Sequence, residues 1–254
     1  LIRNSNNIKI LKNTLVTTYN FSDHLIALED KNVGKPQDNE KPELVLHKIR
    51  TKYTILANGH IERFITFRNN DLPGVMLAAS FEKYLNRYGV VPDESPVIFT
   101  NNSSTYSLLK SLTDLGHKPK AYVDNRDQKN IEKETVDLLE KFNIPFYPKS
   151  EIEGCEGQKE VKKVSIRTKK NQISKIKTSM LCVSGGFNPD IHLFTQSKGL
   201  LKWDKDHLTF KPDRIFQKTI TLGSVSGNFS YEKLLVEVKK KLSEFEGLNE
   251  LEVK

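Results

Sequence analysis

The chain has 254 residues and a net charge of +8, with 37% hydrophobic and 28% charged residues. This composition is typical of a folded globular protein of one or two domains. No stretch approaches the ~20 consecutive apolar residues that a membrane span requires, and the first residues lack the basic and apolar pattern of a signal segment. Cys155 and Cys182 are the only cysteines, which excludes a disulfide framework and favours a reducing, cytoplasmic location.

A run of strands is predicted between residues 7 and 57, where β-branched and aromatic residues recur in five segments. These are IKILKN, TLVTTYNF, HLIALED, LVLHKIRT and YTILANG. The polar segment Lys31–Glu43, with its glycine and prolines, predicts a mobile hairpin loop. Ser80–Gly89 predicts a helix, because its apolar residues share one helical face and a glycine ends it.

Strands and helices then alternate along the chain. Pro96–Thr100 and Ala121–Val123 predict buried strands, and PFYPKSEI resembles a third parallel strand. Helices are predicted from about Ser104 to Leu115 and over Asn130–Ile144. This alternation predicts an α/β protein with a Rossmann-like parallel sheet, joined by right-handed crossovers and extended by β-hairpin insertions.

Basic residues concentrate between Lys159 and Lys177, where they alternate with apolar residues. The alternation predicts a solvated hairpin that turns at Lys169–Gln172. Binding to nucleic acid is the alternative, but the segment lacks interleaved aromatic residues that would stack on bases. We therefore expect neither a nucleic-acid partner nor a membrane. YEKLLVEVKKKLSEFEGL predicts an amphipathic C-terminal helix.

The sequence contains an internal repeat of twelve residues. KIRTKYTILANG (Lys48–Gly59) aligns without gaps on KIKTSMLCVSGG (Lys175–Gly186). Each copy has a basic strand, an apolar strand and a turn of small residues. Chance is one explanation of the match. The other is a pair of related supersecondary units, which predicts two nested dinucleotide-type domains.

Candidate binding residues stand at the ends of predicted strands, since ligands of open parallel sheets bind beyond the carboxyl ends of the strands. Asp124 follows a strand, near the position where the dinucleotide fingerprint places a ribose-binding acid. The other candidates are Asn58, Gly59, Thr100, Asn101, Asn102, Ser103, Ser104, Gly185, Gly223, Ser224 and Gly227. Ser197 and Lys198 are further candidates for contact with a phosphate, although the pattern around Lys198 favours a solvated lysine.

The turn at Thr100–Ser104 lacks the glycines of the dinucleotide fingerprint. The side chains of Asn101 and Asn102 occupy the space beside it, so a pyrophosphate is expected to fit poorly. Hydroxyls and backbone amides at a helix start suit a terminal monophosphate better. The alternative is that these residues only cap the helix. No catalytic residue and no metal site are predicted, because the six histidines lack metal-ligand spacing.

Five segments resemble, in order, the alpha subunits of heterotetrameric sarcosine oxidase. They are ERFITFRNNDLPGVM, YLNRYGV, FTNNSSTY, VSGGFNPDIHLFTQSKG and LKWD. The resemblance implies a flavoprotein core with two dinucleotide-binding domains. Its complex oxidatively demethylates sarcosine to glycine and forms hydrogen peroxide. The resemblance further implies NAD in the first dinucleotide fold, FMN between the alpha and beta subunits, and FAD in the beta subunit. The implied partners are a beta-type flavoprotein subunit and gamma and delta subunits.

The resemblance also implies that the chain is a piece of a longer subunit. The family's glycine-rich loop would precede Leu1, and an aminomethyltransferase-like domain would follow Lys254. Residues 1–66 and 187–254 are then expected to form an incomplete outer, first dinucleotide-type domain. Residues 67–186 are expected to form the inner, second one. Subunits of amine, proline and opine dehydrogenases share this fold, so a non-catalytic scaffold in such a complex is the alternative function.

Overall fold

The structure, a computed structural model, describes residues 6–34, 43–91 and 95–243. Its strands are β1 (Thr14–Asn20), β2 (His24–Asp30), β3 (Leu44–Arg50), β4 (Thr54–Leu56), β5 (His60–Glu62), β6 (Val75–Leu77), β7 (Val97–Thr100), β8 (Ala121–Asp124), β9 (Phe146–Pro148), β10 (Glu151–Glu156), β11 (Lys163–Arg167), β12 (Ile173–Lys177), β13 (Leu181–Ser184), β14 (Phe187–Pro189), β15 (Leu200–Asp204), β16 (Thr209–Arg214) and β17 (Thr219–Thr221). Its helices are α1 (Ala78–Tyr88), α2 (Tyr106–Asp114), α3 (Lys133–Lys141), α4 (His192–Gln196) and α5 (Tyr231–Ser243). Among the described residues, none of the helices combines the length and the hydropathy that a membrane crossing needs.

The chain divides into two compact units. Unit 1 comprises Leu1–Ile61 and Asn188–Lys254, and unit 2 comprises Glu62–Phe187. The chain enters and leaves unit 2 through β5 and β14, which pair with each other. The assignment of residues 67–186 as an inner dinucleotide-type domain, and of the flanking residues as an outer one, stays a prediction.

Unit 2 is built on a parallel sheet with the strand order β6-β13-β7-β8-β9. Because side chains alternate along a strand, the sheet contributes residues to two hydrophobic cores, one on each of its faces. On one face Ile98, Tyr122 and Cys182 pack with the buried leucines of α1, α2 and α3. On the other face Phe99 and Val183 pack among apolar residues of β10 and β11. Both faces are therefore covered, as parallel sheets require.

An antiparallel sheet of β10, β11 and β12 covers that second face. The predicted hairpin is confirmed: β11 and β12 pair from Lys163↔Lys177 to Arg167↔Ile173. Asn171 adopts a positive φ of 61° in the turn between them. The inner positions Val164 and Ile166 are fully buried, while the basic residues of the outer face meet solvent and nearby acids.

Unit 1 combines an antiparallel sheet of β1, β2 and β3 with a parallel pair of β4 and β17 and a hairpin of β15 and β16. Its core holds four buried residues from separate elements: Tyr19, Leu25, Leu56 and Phe194. The Tyr19 hydroxyl also bonds the Thr219 hydroxyl at 2.5 Å, which ties β1 to β17.

The internal repeat has a matching structure in both copies. In unit 1, a three-stranded antiparallel sheet ends with β3, and the chain then enters the parallel strand β4. In unit 2, the sheet β10-β11-β12 ends with β12, and the chain then enters the parallel strand β13. The turn that follows contains a positive-φ glycine in each copy, Gly59 at 95° and Gly186 at 86°. The repeat therefore corresponds to a repeated supersecondary unit.

Some predicted elements differ from the structure. Residues 8–13 are not a strand, and Ile8 and Ile10 are 48% and 50% exposed. A segment with high β-propensity forms a strand only where it can hydrogen-bond to a neighbouring strand. The predicted helices at about Ser104 and Asn130 begin later, at Tyr106 and Lys133. Most of the loop predicted at Lys31–Glu43 lies outside the described residues.

Candidate functional site

Three polar residues meet at the carboxyl ends of adjacent strands in unit 2. The register places Thr100 of β7 opposite both Ser184 of β13 and Asp124 of β8. All three side chains are fully buried. The parallel sheet thus aligns polar groups from distant parts of the sequence along the edge where ligands of such sheets bind.

Asn102 fills the turn between β7 and α2. Its backbone N–H donates to the Thr100 hydroxyl at 3.1 Å, and its Oδ1 accepts the Ser104 N–H at 2.9 Å. Its Nδ2 donates to the Ser184 carbonyl oxygen at 3.0 Å. A backbone N–H that a phosphate would need is therefore already bonded to a side chain. The residues present do not fit a closely bound pyrophosphate.

The alternative, in which Thr100–Ser104 only cap α2, differs from the structure at the N-cap position. The residue at the N-cap position is Thr105, and no side chain caps the helix there. The buried Thr105 hydroxyl instead bonds the Tyr122 hydroxyl at 2.7 Å. Asn102 thus organises the turn before the helix rather than the first helical turn.

Ser103 is bound to an acidic partner. Its hydroxyl donates to the Glu132 carboxylate at the start of α3, and it accepts a bond from Arg126 at 3.0 Å. Arg126 also lies 3.6 Å from the Glu132 carboxylate. A phosphate at Ser103 would have to displace that carboxylate.

Asp124, the predicted ribose-binding acid, is bound on both oxygens by Arg126. The guanidinium donates from Nε to Oδ1 at 3.2 Å and from Nη2 to Oδ2 at 2.9 Å. The Arg126 backbone N–H adds a bond of 2.8 Å to Oδ1. Burial raises the pKa of the Asp124 carboxyl, and the bonds from Arg126 oppose that effect. In this arrangement Asp124 anchors a loop, and its contact with a ribose stays a prediction.

The end of β13 brings two glycines against the segment after β5. A side chain at Gly185 would place its Cβ 3.0 Å from the Arg63 carbonyl oxygen, and one at Gly186 would lie 2.9 Å from the Arg63 guanidinium. Glu62 accepts the Ala79 N–H at 3.0 Å near the start of α1. Burial raises the pKa of Glu62, and its bonds to Ser184 and Ala79 oppose this.

Four of the residues at this edge were not predicted: Glu62, Arg63, Arg126 and Glu132. Arg126 lies two residues beyond Asp124, at the end of a strand, and this position was an available signal. The positions of Glu62 and Arg63 after the turn of the first repeat copy were another. Glu132 lies in a predicted helix start, and only the fold places it beside Ser103.

In unit 1 the candidate residues of two strand ends come together. β4 and β17 are parallel neighbours, and the Leu222 N–H donates to the Leu56 carbonyl oxygen. Asn58 and Gly59 follow β4, and Gly223, with a φ of 77°, follows β17. Asn58 Nδ2 donates to the Asp190 carbonyl oxygen at 2.6 Å. A Cβ at Gly59 would meet nothing within 4 Å.

The remaining candidates of unit 1 have structural contacts of their own. Ser224 lies in the short 3-10 turn Gly223–Ser226, and its carbonyl oxygen accepts the Gly227 N–H. Ser197 is buried and donates to the Phe194 carbonyl oxygen at 2.8 Å. The Lys198 ammonium lies 4.8 Å from the centre of the Phe21 ring. Ser197 and Lys198 therefore have contacts within the chain that do not require a bound phosphate.

A metal site finds no support in the described ranges, where no group of three or more His, Cys, Asp or Glu residues could hold an ion. Both cysteines are buried, and burial raises the pKa of the Cys155 thiol to about 11. Burial also raises the pKa of the Cys182 thiol, which favours an unreactive thiol.

The predicted resemblance is confirmed by comparison with known proteins. The chain is 30% identical over 227 residues to sarcosine oxidase subunit alpha from Corynebacterium sp. (strain U-96), covering 85% of this chain and 23% of that protein. It is 29% identical over 211 residues to the subunit of the same name from Rhizobium meliloti (strain 1021), covering 82% and 20%. The chain thus spans about a fifth of the length of these relatives. No family model matches the chain.

Solved structures confirm the predicted fold class. Thioredoxin reductase from T. acidophilum superposes with a TM-score of 0.61 at 16% identity, over 88% of this chain and 69% of that one. L-Proline dehydrogenase from P. horikoshii superposes with a TM-score of 0.56 at 21% identity, over 84% and 36%. The chain has the Rossmann-like α/β fold of these oxidoreductases.

Proposed function

We propose that this chain, a relative of the sarcosine oxidase alpha subunits over most of its length, is part of the flavin- and NAD-handling core of an oxidoreductase subunit. The complete complex would oxidatively demethylate sarcosine to glycine and form hydrogen peroxide. The observation that carries the proposal is the similarity to two named alpha subunits over more than four fifths of this chain.

The strand ends of unit 1 leave more space beside the backbone for a nucleotide than those of unit 2, where the Arg63 guanidinium lies against Gly186. Gly59 leaves open space beside the backbone, and Gly223 on the neighbouring strand has a positive φ that favours glycine. We propose that NAD contacts this edge through Asn58, Gly59 and Gly223. A bound NAD or flavin would supply the hydride- or electron-transfer chemistry, while the chain supplies the binding surface.

The edge of unit 2 fits a nucleotide less well. Asn102 Oδ1 accepts the Ser104 N–H, and the Glu132 carboxylate accepts the Ser103 hydroxyl. FMN binding at Thr100–Ser104 stays a prediction, and it requires that these hydrogen bonds break. The same observation favours the second candidate function, in which unit 2 is a non-catalytic scaffold that docks a beta-type flavoprotein subunit. Gamma and delta subunits complete the proposed assembly, with FAD in the beta subunit.

A matched pair of glycine substitutions tests the nucleotide site. Gly59→Ala places a methyl group in the open space at the end of β4, in a backbone with a φ of 95°. Gly34→Ala carries a similar backbone strain, at a φ of 82°, also with nothing within 4 Å. We expect both to cost about 1 kcal/mol of stability. Only Gly59→Ala should lower the NAD that acid extraction releases from the intact complex.

Equal NAD contents in the two variants would contradict the assignment of NAD to the edge of unit 1. The scaffold function makes a different prediction, namely that the chain co-purifies with a beta-type subunit while neither variant changes the nucleotide content. In either case the reaction itself is measured as peroxide formed from sarcosine by the intact complex.

A further inference from the structure

Three aromatic rings from separate segments of unit 1 meet just beyond the ends of β4 and β17. His60 comes directly after Gly59, and Phe229 comes two residues after the turn that follows β17. His207 lies in the turn between β15 and β16. The centre of the Phe229 ring is 5.8 Å from that of His60, at an interplanar angle of 76°, and 5.3 Å from that of His207. The rings thus gather near the edge where ligands of parallel sheets bind.

These rings lie at the surface of unit 1 and not in its hydrophobic core. The core cluster of the described residues in that unit, which includes Tyr19 and Phe194, does not include Phe229. His60 is exposed and Phe229 is half-buried, while the His207 side chain is 49% exposed. Aromatic side chains that serve only a core are mostly buried. Core packing therefore does not account for this cluster.

Hydrogen bonds hold the backbone on both sides of Phe229. The Asn228 N–H donates to the Gly223 carbonyl oxygen at 3.2 Å, and Asn228 Nδ2 donates to the Glu237 carboxylate of α5 at 3.0 Å. The Ser230 N–H donates to Asn228 Oδ1 at 3.2 Å. A ring on an ordered backbone loses little conformational entropy when a ligand contacts it, so this arrangement favours binding.

His207 is held in place by the buried carboxylate of Asp204. That carboxylate accepts the His207 backbone N–H at 3.3 Å and contacts the ring Nδ1 at 3.2 Å. Asp204 also accepts a bond from Lys211 Nζ at 2.6 Å. The stem of Lys211 would lie 3.1 Å from a Cβ at Gly227. The hairpin β15–β16 therefore packs against the glycine turn and places His207 beside Phe229.

We propose that His60 and Phe229 form a stacking platform for the planar heterocyclic base of a nucleotide, and that His207 supports the Phe229 ring. Aromatic side chains stack on nucleotide bases of any kind, because every base has a planar π-face. The platform adjoins Gly59, where a Cβ would meet nothing within 4 Å. The inference rests on the proposed function, which brings a nucleotide to the ends of β4 and β17, and it adds the group that recognises the base.

The test uses four probes that share a ribose phosphate and differ in the base. NAD carries adenine and nicotinamide, AMP carries adenine, nicotinamide mononucleotide carries nicotinamide, and ribose 5-phosphate carries no base. Isothermal titration calorimetry measures the binding of each probe to the full chain. We expect NAD, and at least one of the two mononucleotides, to bind about tenfold more tightly than ribose 5-phosphate. The tighter mononucleotide identifies the base that the rings recognise.

Matched substitutions of phenylalanine separate the platform from a general loss of aromatic surface. Phe229→Leu removes the ring and keeps an apolar side chain, so it should raise the dissociation constant of NAD about fivefold or more. Phe229→Tyr keeps the ring and should retain the affinity for NAD. Phe216→Leu changes a ring that is 69% exposed elsewhere in unit 1 and should leave the affinity unchanged. Binding of ribose 5-phosphate should be the same in all three variants, whereas a merely structural role of Phe229 would weaken it in Phe229→Leu.

Two outcomes would overturn the platform: equal affinities of NAD and ribose 5-phosphate, or equal effects of Phe229→Leu and Phe216→Leu on NAD binding. Thermal unfolding of each variant is measured alongside. If Phe229→Leu is unfolded at the titration temperature, His60→Ala replaces it, because His60 is exposed, and unchanged NAD binding by His60→Ala would refute the platform.

Failure of the proposed function gives a different result. If NAD does not bind, or binds equally to Gly59→Ala and Gly34→Ala, the nucleotide site itself is contradicted, and the platform with it. If NAD binds and Gly59→Ala alone weakens it, while Phe229→Leu has no effect, only the platform is contradicted.

Discussion

Replacing Arg126 by Ala should destabilise unit 2, because it leaves the buried Asp124 carboxylate without its cation. Asp124 is fully buried and loses two of its bonds, from Nε and Nη2 of Arg126. Removing one partner of a buried ion pair costs about 3–5 kcal/mol. The Arg126 side chain is 20% exposed, and its backbone N–H still donates after the substitution. We therefore expect the lower end of the range, about 3 kcal/mol.

The loss should depend on pH. Burial raises the pKa of Asp124 even with Arg126 present, and removal of the cation raises it further. A carboxyl group whose folded pKa lies above its unfolded pKa favours the folded state below the unfolded value, and that contribution is lost as the pH rises through the folded value. Urea unfolding followed by circular dichroism should therefore give a larger difference from wild type at about pH 8 than at about pH 5.

Two controls separate this effect from a general loss of surface charge. Lys110→Ala removes an exposed pair with Asp114 and should have little effect on stability at either pH value. Adding Asp124→Asn to Arg126→Ala replaces the stranded charge with a neutral amide and should recover part of the loss. A cost for Arg126→Ala that equals that of Lys110→Ala, or that is the same at both pH values, would refute the reasoning.

Two further predictions concern the core of unit 2. Gly74→Ala would place its Cβ 2.2 Å from the Ser179 carbonyl oxygen at a φ of 103°, so in urea unfolding it should cost at least about 2 kcal/mol more than Gly116→Ala, whose Cβ would meet nothing within 4 Å. The buried thiols of Cys155 and Cys182 have raised pKa values, so neither should react with 5,5′-dithiobis(2-nitrobenzoate) in the native chain, while both should react in guanidinium chloride. Rapid reaction of a native thiol would show that its side of the sheet opens.

The fold of unit 2 could be predicted because its signals are local. The strands β7 and β8 are short apolar runs, and both are buried throughout. Between them α2 shows the apolar spacing of a helix with one buried face. The failed prediction at residues 8–13 shows the limit of local signals. Its residues have strand propensity, but strand formation depends on a neighbour that the sequence does not specify.

The contacts of the candidate site could not be predicted in the same way, because they join distant residues. Asn102 bonds to Ser184, which lies 82 positions away in the sequence, and Ser103 bonds to Glu132, 29 positions away. Residue types at the turn left phosphate binding and capping equally open. The structure gives a third result, in which side chains of the chain itself occupy the groups that a phosphate would use.

The internal repeat allows equivalent positions of the two units to be compared as binding surfaces. Gly59 and Gly186 occupy equivalent positions, and both have positive φ, so the backbone geometry is shared. A side chain at Gly59 would meet open space, whereas one at Gly186 would meet the Arg63 guanidinium. A ligand needs an accessible backbone as well as a suitable turn. At these equivalent positions the Arg63 side chain fills the space in unit 2, whereas the space in unit 1 is empty, and this difference is why we place the proposed nucleotide contacts in unit 1.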